Sequence, residues 1–586
     1  MTSEKWVFAA NLNDVRERSC MTAQVDGHIL ALYAYGDNIF AIDNRCPHMG
    51  FPLKDGSVKD GILTCHWHHA RFDLASGGAF DLFADDVPAF PVSVRNYEVW
   101  VDVAPHGDAA ARLKQRLHDG LERNLPLVIA KTVIGMSSQD STVPFQIGLE
   151  FGTRYRQNGW GQGLTILTCM MNLLPHLTAE DRPRALYHGL SAVANDTEGM
   201  APRFAVQPLP NANTDVATLK RWLRRFIEVR DSEGAERCLV SAIRAGATRR
   251  ELADMLFATA TDHRYIQVGH PLDFTNKALE ALDLMGWEPR LTEQVLTSLV
   301  TGYANANRME ESNAWRNPID LVALLEQTFA ALPATNNPRP IILDASARQQ
   351  LVDTLLGDDP QATVNALLTA LRDGASEETL AGIVAHAAAL RIARFHISNE
   401  FGDWDTALHT FTFANAVHQG LRRLHALPAS AASSEEHTDL LRGVFDAAMS
   451  LYLDRFLNIP AARIPSPNGK VADALDSLVA LFDRQQQVDA AATAVVSQLH
   501  GGAAVADVIA MLGKLLLRED RDFHTIQSLE AAVRQHALLA DQPQAADHAL
   551  IAAARYLAAH APTVRAQGQT FNIARRLAHG EHLFQE

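Results

Sequence analysis

The chain has 586 residues, enough for three or four domains with large buried cores, so it needs no disulfide staple. Its net charge of −16, with no basic stripe, excludes an ordinary nucleic-acid binder, and five scattered cysteines (Cys20, Cys46, Cys65, Cys169, Cys238) exclude a secreted disulfide framework. The N-terminal stretch has no signal-peptide pattern, and the longest apolar run near a linker, Leu125 to Met136, is broken by Lys131 and too short to span a bilayer; a cytoplasmic chain without membrane contact is expected.

In chain order, residues 1–105 read as short strands and turns, a small all-β domain. Ile29–Tyr33, Ile39–Ile42, Ile62–Thr64, Val92–Val94 and Glu98–Val103 are β-prone, with turn signals at Asp26-Gly27, Gly36-Asp37, Asp55-Gly56 and Asp60-Gly61. Residues 106–145 read as a connector: one short helix, Ala109–Arg123, then a less regular stretch. From there Ala, Leu, Arg and Glu recur at helical spacing, which predicts a large all-α domain over 146–586.

That domain carries an internal repeat of about 128 residues. AIRAGATRRELADML, ALRDGASEETLAGIV and QLHGGAAVADVIAML place Gly246, Gly374 and Gly502 128 residues apart in both steps. Each predicts a helix ending on a left-handed glycine and a new helix just beyond, with Thr248 or Ser376 as N-cap. A period this long is a helical subdomain rather than a short solenoid unit.

The first domain holds Cys46-Pro47-His48, sixteen residues, then Cys65-His66-Trp67-His68. Two thiolates suit one iron and two neutral imidazoles the other in a 2Fe–2S cluster. Two Cys and two His also suit tetrahedral zinc, but C-x-H with C-x-x-H is not a zinc-finger spacing. Gly50 and Gly77 are placed to supply the tight turns of the two loops. With its flanks, CPHMGFPL and CHWHHARFDLASG, the stretch resembles the Rieske family over about residues 5–105. The resemblance implies a Rieske-type 2Fe–2S cluster on Cys46, His48, Cys65 and His68. His66 departs from the family's usual proline and His69 from its usual glycine; both read as surface residues. No further cysteine follows His48 or separates Cys65 from His68, so the cross-loop disulfide of respiratory Rieske proteins is missing. That puts the cluster with the ferredoxin and oxygenase types, toward the lower end of about −150 to +300 mV.

A Rieske domain moves one electron at a time, and fused to a large partner it usually serves a redox centre there. The D-x-x-H-x4-H iron motif of ring-hydroxylating Rieske oxygenases is absent; Asp262-His263 with His270 comes nearest, at a different spacing. Histidines recur instead in repeat register. His396 and His524 are 128 residues apart, each 22 after its glycine and each preceded by phenylalanine. His270 falls two residues later in the first copy, two helical turns after His263, with Pro271 marking a helix boundary. Glu400 follows His396 by one turn, and His409 to Asn415 parallels His270 to Asn276. His188 sits in an earlier apolar helix. Helices that bring such residues to one interior point would form a second metal site from His188, His263, His270, His396, His409 and His524, with Glu400 as an acid. Imidazole suits iron, copper or zinc, and a Rieske donor favours iron.

RALYHGLSAVAND, VGHPLDFTNKALEAL, ALHTFTFANAVHQGL and RDFHTIQSLEAAV resemble segments of the questin oxidase-like family, over roughly residues 146–586. The resemblance implies oxygen-dependent ring opening of quinones and related polyketides, and puts His188, His270, His409 and His524 on the family's histidine positions. A family lysine shortly after the last histidine is replaced here by Gln527; Lys277, two turns after His270, is the substitute, a catalytic candidate beside Glu400. The expected function is therefore a Rieske-coupled non-haem iron oxygenase. Cluster electrons pass to a mononuclear iron in the helical domain for O2-dependent oxidation or ring cleavage of an aromatic or quinone-like substrate. The alternative is an electron-transfer or redox-sensing protein with a metal-free helical interaction domain. Gly159-Trp-Gly161-Gln-Gly163 lacks the context of a nucleotide fingerprint, so a separate reductase or ferredoxin is the expected partner. His48 and His68 are the expected electron exit, toward the same chain or a neighbouring subunit of a homodimer.

Overall fold

The computed structural model describes residues 4–104, 109–136, 140–210, 214–332, 341–428, 438–457, 459–466, 475–484, 486–581 and 583. The chain divides into two compact units, residues 1–147 with 567–586, and residues 148–566. The expected boundary at residues 105 and 106 lies outside the described residues.

The first unit contains strands β1 (Trp6–Asn11), β2 (Cys20–Val25), β3 (His28–Tyr35), β4 (Asn38–Asp43), β5 (Ser57–Lys59), β6 (Ile62–Thr64), β7 (Arg71–Asp73), β8 (Ala89–Phe90), β9 (Val92–Arg95) and β10 (Glu98–Asp102). They form three antiparallel sheets, in the orders β1-β10-β9, β2-β3-β4-β8 and β5-β6-β7. All five β-prone stretches lie in strands. β1, β2, β5, β7 and β8 lie outside those stretches; β1 pairs with β10 at the far end of the domain, a pairing that no local pattern announces. Two clusters of buried side chains fill the domain. One, around Tyr33, Phe51, Leu63 and Phe72, includes the sulfurs of Cys46 and Cys65; the other, around Val15, Leu30 and Val99, lies under the remaining strands.

Helix α1 (Leu12–Arg18) joins β1 to β2. The stretch expected as a connector carries two helices, α2 (Ala109–Glu122) and α3 (Pro126–Met136), and both belong to this first unit. The less regular segment expected after Arg123 is α3: PLVIAKTVIGM is apolar on nearly every face, so only a buried helix satisfies it, and Val128, Ile129, Ala130, Val133 and Met136 are buried. The C-terminal helix Ala566–Ala578 contributes its residues from Gln567 onward to the same unit, where Arg45 Nη2 donates to the carbonyls of Leu577 at 2.9 Å and Glu581 at 2.8 Å.

Among its described residues the second unit contains helices and no strand. Those that position the site are α4 (Gln162–Leu173), α5 (Arg182–Thr197), α6 (Arg249–Ala260), α7 (His270–Leu284), α8 (Glu377–Ala393), α9 (Phe401–Ala426), α10 (Val505–Leu517), α11 (Phe523–Leu538) and α12 (Pro543–Ala559). Four of them pack in a ring: α4 on α7, α7 on α9, α9 on α11 and α11 back on α4. Helix α5 covers α4, α8 covers α9, and α12 packs on both α8 and α11.

The three glycine junctions have the local conformation their sequences call for. Gly246, Gly374 and Gly502 adopt φ of 81°, 105° and 94°, and α6, α8 and α10 begin three residues later. Thr248 and Glu251 form a capping box at α6, and the Ser376 hydroxyl accepts the Thr379 N–H at 3.1 Å at α8. Beyond these junctions the three segments diverge. The next helix begins at His270, at Phe401 and at Phe523, so equal sequence offsets from the glycines do not mean equal places in space.

Gly77 closes the turn after β7 at φ +75°, and a Cβ there would stand 1.9 Å from the carbonyl oxygen of buried Val87. Gly77→Ala is expected to cost about 1–3 kcal/mol in backbone strain alone. By displacing Val87 it should also lower the iron content of the purified protein. Denaturant unfolding and visible absorbance check both effects; a variant as stable and as coloured as the parent would refute them.

Candidate metal centres

In the first unit Cys46 and His48 lie on the loop between β4 and β5, and Cys65 and His68 on the loop between β6 and β7. The two loops are built alike. Cys46 N–H donates to Phe51 O at 2.8 Å and Gly50 N–H to Cys46 O at 2.8 Å; Cys65 N–H donates to Ala70 O at 2.8 Å and His69 N–H to Cys65 O at 3.1 Å. The fourth residue after each cysteine closes its loop in the left-handed region, Gly50 at φ 86° and His69 at φ 60°. This explains why glycine is usual at the position of His69: a Cβ there costs about 1–2 kcal/mol. Each sulfur receives two backbone N–H groups, from His48 and Met49 at Cys46 and from Trp67 and His68 at Cys65.

The two thiols hydrogen-bond each other, which pulls Cys65 down and pushes Cys46 up. The rings of His48 and His68 meet edge to face at 4.8 Å. Burial, then the neighbouring His68, pulls His48 down to about 4; burial, then His69, lowers His68. Both imidazoles are therefore neutral and ligand-ready at neutral pH, and His48 Nδ1 is buried without a hydrogen-bond partner. The four donors do not close on a single point: among the described residues the one group of three donor atoms within 4.8 Å of one another lies elsewhere. Sulfur meeting sulfur and imidazole meeting imidazole suits a two-iron group with one pair on each iron, not one tetrahedral zinc. His66 and His69 are exposed, as expected.

That other group is His270, His409 and His524 in the second unit. His270 is the first residue of α7, His409 the ninth of α9 and His524 the second of α11. His409 Nε2 stands 3.2 Å from His270 Nε2 and 3.0 Å from His524 Nε2. Adjacent donors about 2.0–2.1 Å from one ion in octahedral or tetrahedral array lie about 2.8–3.4 Å apart, so the spacing fits a single metal. Burial, then the other two histidines, pulls His270 down to about 3; burial, then His524, pulls His409 down to about 4. The Asp405 main-chain carbonyl accepts from His409, which leaves Nε2 free to face inward. The Asp405 carboxylate lies 3.9 Å from His524 Nδ1 and accepts the Tyr556 hydroxyl at 2.5 Å. All three imidazoles are partly exposed, and Phe274 and Phe523 stand 5.5 and 5.7 Å from the His270 ring.

The approach to His270 is strained. Tyr265, Gln267, Val268 and Gly269 all have positive φ, from 44° to 93°, and a Cβ on Gly269 would stand 2.9 Å from Phe413. Such runs persist only where the surroundings over-determine them. They end the preceding chain and start α7 at His270, so His263 and His270 share no helix.

The structure does not bring the other expected residues to this point. His263 is held by Glu310 at 2.6 Å and stands 3.1 Å from Glu228. His396 lies in a turn, bonded to the Ser398 hydroxyl at 2.8 Å, because α8 ends at Ala393 and α9 has not begun. His188 is buried in α5 outside the group. Glu400 is exposed at the N-cap of α9, where its N–H donates to Asp403 at 3.0 Å.

Lys277 is neither at the three histidines nor a solvated surface lysine. It is buried, with Nζ 2.6 Å from Glu530 and 3.0 Å from Glu280. Asn172 donates to Glu280 at 2.7 Å and to Glu530 at 2.8 Å, and Gln527 donates to Asp273, whose carboxyl burial pushes up to about 7. Sequence reasoning missed Glu530, Asp405 and Tyr556. A signal for Glu530 existed: it follows His524 by six residues, as Asn276 follows His270 and Asn415 follows His409.

Residues 5–91 match the Rieske [2Fe–2S] domain family. The ferredoxin component of the naphthalene 1,2-dioxygenase system of Pseudomonas putida is 32% identical over 101 residues, which are 17% of this chain and 97% of that protein. The ferredoxin component of the naphthalene 1,2-dioxygenase/salicylate 5-hydroxylase systems of a Ralstonia species is 32% identical over 98 residues, 17% of this chain and 94% of that protein. Among solved structures, the ferredoxin of carbazole 1,9a-dioxygenase from Nocardioides aromaticivorans IC177 is 28% identical, covering 17% of this chain and 97% of that one, at a TM-score of 0.16. Through its N-terminal domain the chain belongs to the Rieske [2Fe–2S] family. Among the described residues no helix is long and apolar enough to cross a membrane.

Lys277→Met should leave buried Glu280 and Glu530 with only the half-exposed Arg534, 3.9 and 3.3 Å away, as a cation, and cost about 3–5 kcal/mol in denaturant unfolding of the second unit; a loss under about 1 kcal/mol would show that the pairing is not structural. A pH dependence follows from a second buried pair, His386 Nε2 and His548 Nδ1, 3.0 Å apart, which burial pulls down to about 3 and about 4. Free histidine titrates near about 6.5, so below that the unfolded chain binds the extra protons. The stability these groups contribute is complete above pH about 6.5 and is lost as pH falls toward 4 and below. The unfolding free energy should fall over that window, and less steeply in a His386→Gln/His548→Gln variant; equal slopes would contradict the assignment.

Proposed function

We propose that the chain is a Rieske-coupled non-haem iron oxygenase. Cys46, His48, Cys65 and His68 hold the 2Fe–2S cluster, and His270, His409 and His524 hold one further iron. The observation that carries the reading is the meeting of three imidazoles from three helices within 4.8 Å, in a chain that carries a Rieske domain. When bound, the cluster supplies electrons singly and the three-histidine iron supplies a place for dioxygen reduction.

The chain's own residues do the rest. Burial keeps His270 and His409 neutral, so their lone pairs are available for a metal. The Asp405 carbonyl holds the His409 proton on the outer nitrogen, and Tyr556 holds the Asp405 side chain by donating to it. Phe274 and Phe523 give the approach to His270 aromatic walls, which suit an aromatic or quinone-like substrate stacked against them. The resemblance of the helical segments to questin oxidase-like proteins supports the same substrate class. Relatives that are ferredoxin components of dioxygenase systems support a separate reductase or ferredoxin as electron source.

Those relatives also favour a second reading, in which the chain is an electron carrier whose helical part binds no metal. Iron content separates the two. The oxygenase needs about three irons per chain, two in the cluster and one beyond it. Cys46→Ser should lose the cluster, keep the third iron and fail in reductase-driven turnover; His409→Ala should keep a reducible cluster, lose the third iron and form no oxygenated product. Fully loaded protein with two irons and no other metal, or reductase-driven turnover in Cys46→Ser at the parent rate, would overturn the proposal.

A further inference from the structure

We propose that Lys131 raises the reduction potential of the Rieske cluster by acting through the peptide group between Pro47 and His48. The inference rests on Cys46 and His48 being cluster ligands. Lys131 is the one charged residue of helix α3, and its side chain is only 16% exposed. A lysine placed so deep needs a reason, since burial works against its charge.

Its ammonium donates to the Pro47 carbonyl, in the middle of the Cys46-Pro47-His48 loop. It also stands 3.2 Å from Asp85 Oδ2. Asp85 is shared with Arg116 of α2, whose guanidinium bonds that carboxylate and donates to the carbonyls of Ala84 at 2.7 Å and Leu82 at 2.9 Å. Asp119 stands 3.9 Å from the same guanidinium, so two cations and two anions stand behind the loop, with Lys131 the member that touches it.

The bond to Pro47 matters because of what lies across the same amide. The Pro47 carbonyl and the His48 N–H are two ends of one planar, conjugated unit. That N–H donates to the Cys46 sulfur. Drawing electron density toward the carbonyl oxygen makes the N–H a stronger donor, so Lys131, the peptide and the sulfur form one polarised chain. Reduction adds negative charge to a cluster and its sulfur ligands. A fixed cation nearby and a stronger donor to sulfur both favour the reduced state. Lys131 and Arg116 lie beyond residues 5–91, in helices outside the part of the chain that matches the Rieske family. Lys131 is a positioning residue on this account: it touches no ligand side chain and acts through the backbone.

The test is a redox titration of the purified full chain, followed by visible absorbance and electron paramagnetic resonance. Lys131→Met should lower the midpoint potential, so that at a fixed ambient potential the ratio of reduced to oxidised cluster falls about tenfold, the scale of one charge-assisted hydrogen bond. Lys131→Arg should stay near the parent. Asp85→Asn should move the potential upward, because it removes the carboxylate paired with Lys131 and leaves Arg116 only the more distant Asp119. Full cluster content in Lys131→Met at an unchanged potential would overturn the proposal. If Lys131→Met loses the cluster, Asp85→Asn decides: no upward shift overturns it. Failure of the ligand reading looks different, as retention of the cluster in Cys46→Ser.

Discussion

A lysine ammonium cut off from water must be paired, and Lys277 is paired twice, by Glu280 on its own helix α7 and by Glu530 on α11. Removing one partner from such a group costs several kcal/mol, so α7 and α11 tolerate little slip along each other. Asn172 ties α4 to both carboxylates, and α9 is tied to α11 by Gln535, which bonds Asn415 at 2.8 Å and His418 at 3.0 Å. The ring of four helices thus closes on a polar layer rather than on hydrocarbon alone. The histidines stand about two to three turns toward the N-termini of α7, α9 and α11 from that layer, and their meeting within 4.8 Å depends on its register.

Burial prepares the imidazoles in both units. It lowers His48 in the β domain and His270 and His409 in the helical unit, so that at neutral pH each presents a lone pair rather than a charge. Around the sulfurs the opposite need is met. Two backbone N–H groups reach each cysteine and favour its thiolate, and the tight loops that aim them require a left-handed residue at Gly50 and His69. A neutral nitrogen pair and a sulfur pair met by backbone N–H groups in adjacent loops form the donor asymmetry that a Rieske cluster uses.

The relatives named above are matched over nearly their whole length, yet that match is 17% of this chain. What sets this protein apart lies outside the matched part. Within the first unit it includes α3, which delivers Lys131 to Pro47, and the C-terminal segment that receives Arg45. Within the second it is the helical ring with its histidines.

The β domain and its four candidate ligands were legible in the sequence, because C-x-H and C-x-x-H fix donor type and loop geometry locally and the flanking glycines show where the chain must turn. The helical character of the rest was legible from its periodicity, and so were the three glycine junctions. The choice among six histidines was not. His396 matched the repeat by count, but α8 ends before it, and His409, farther along, faces the interior instead. Glu400 had the right distance from a histidine and the wrong environment, at an exposed helix start. Lys277 read as a substitute for the family's catalytic lysine, because its burial and pairing with Glu530 depend on a helix more than two hundred residues away. Local patterns determine donor chemistry and helix boundaries; which side chains meet is decided by long-range packing, where burial, charge pairing and helix register act together.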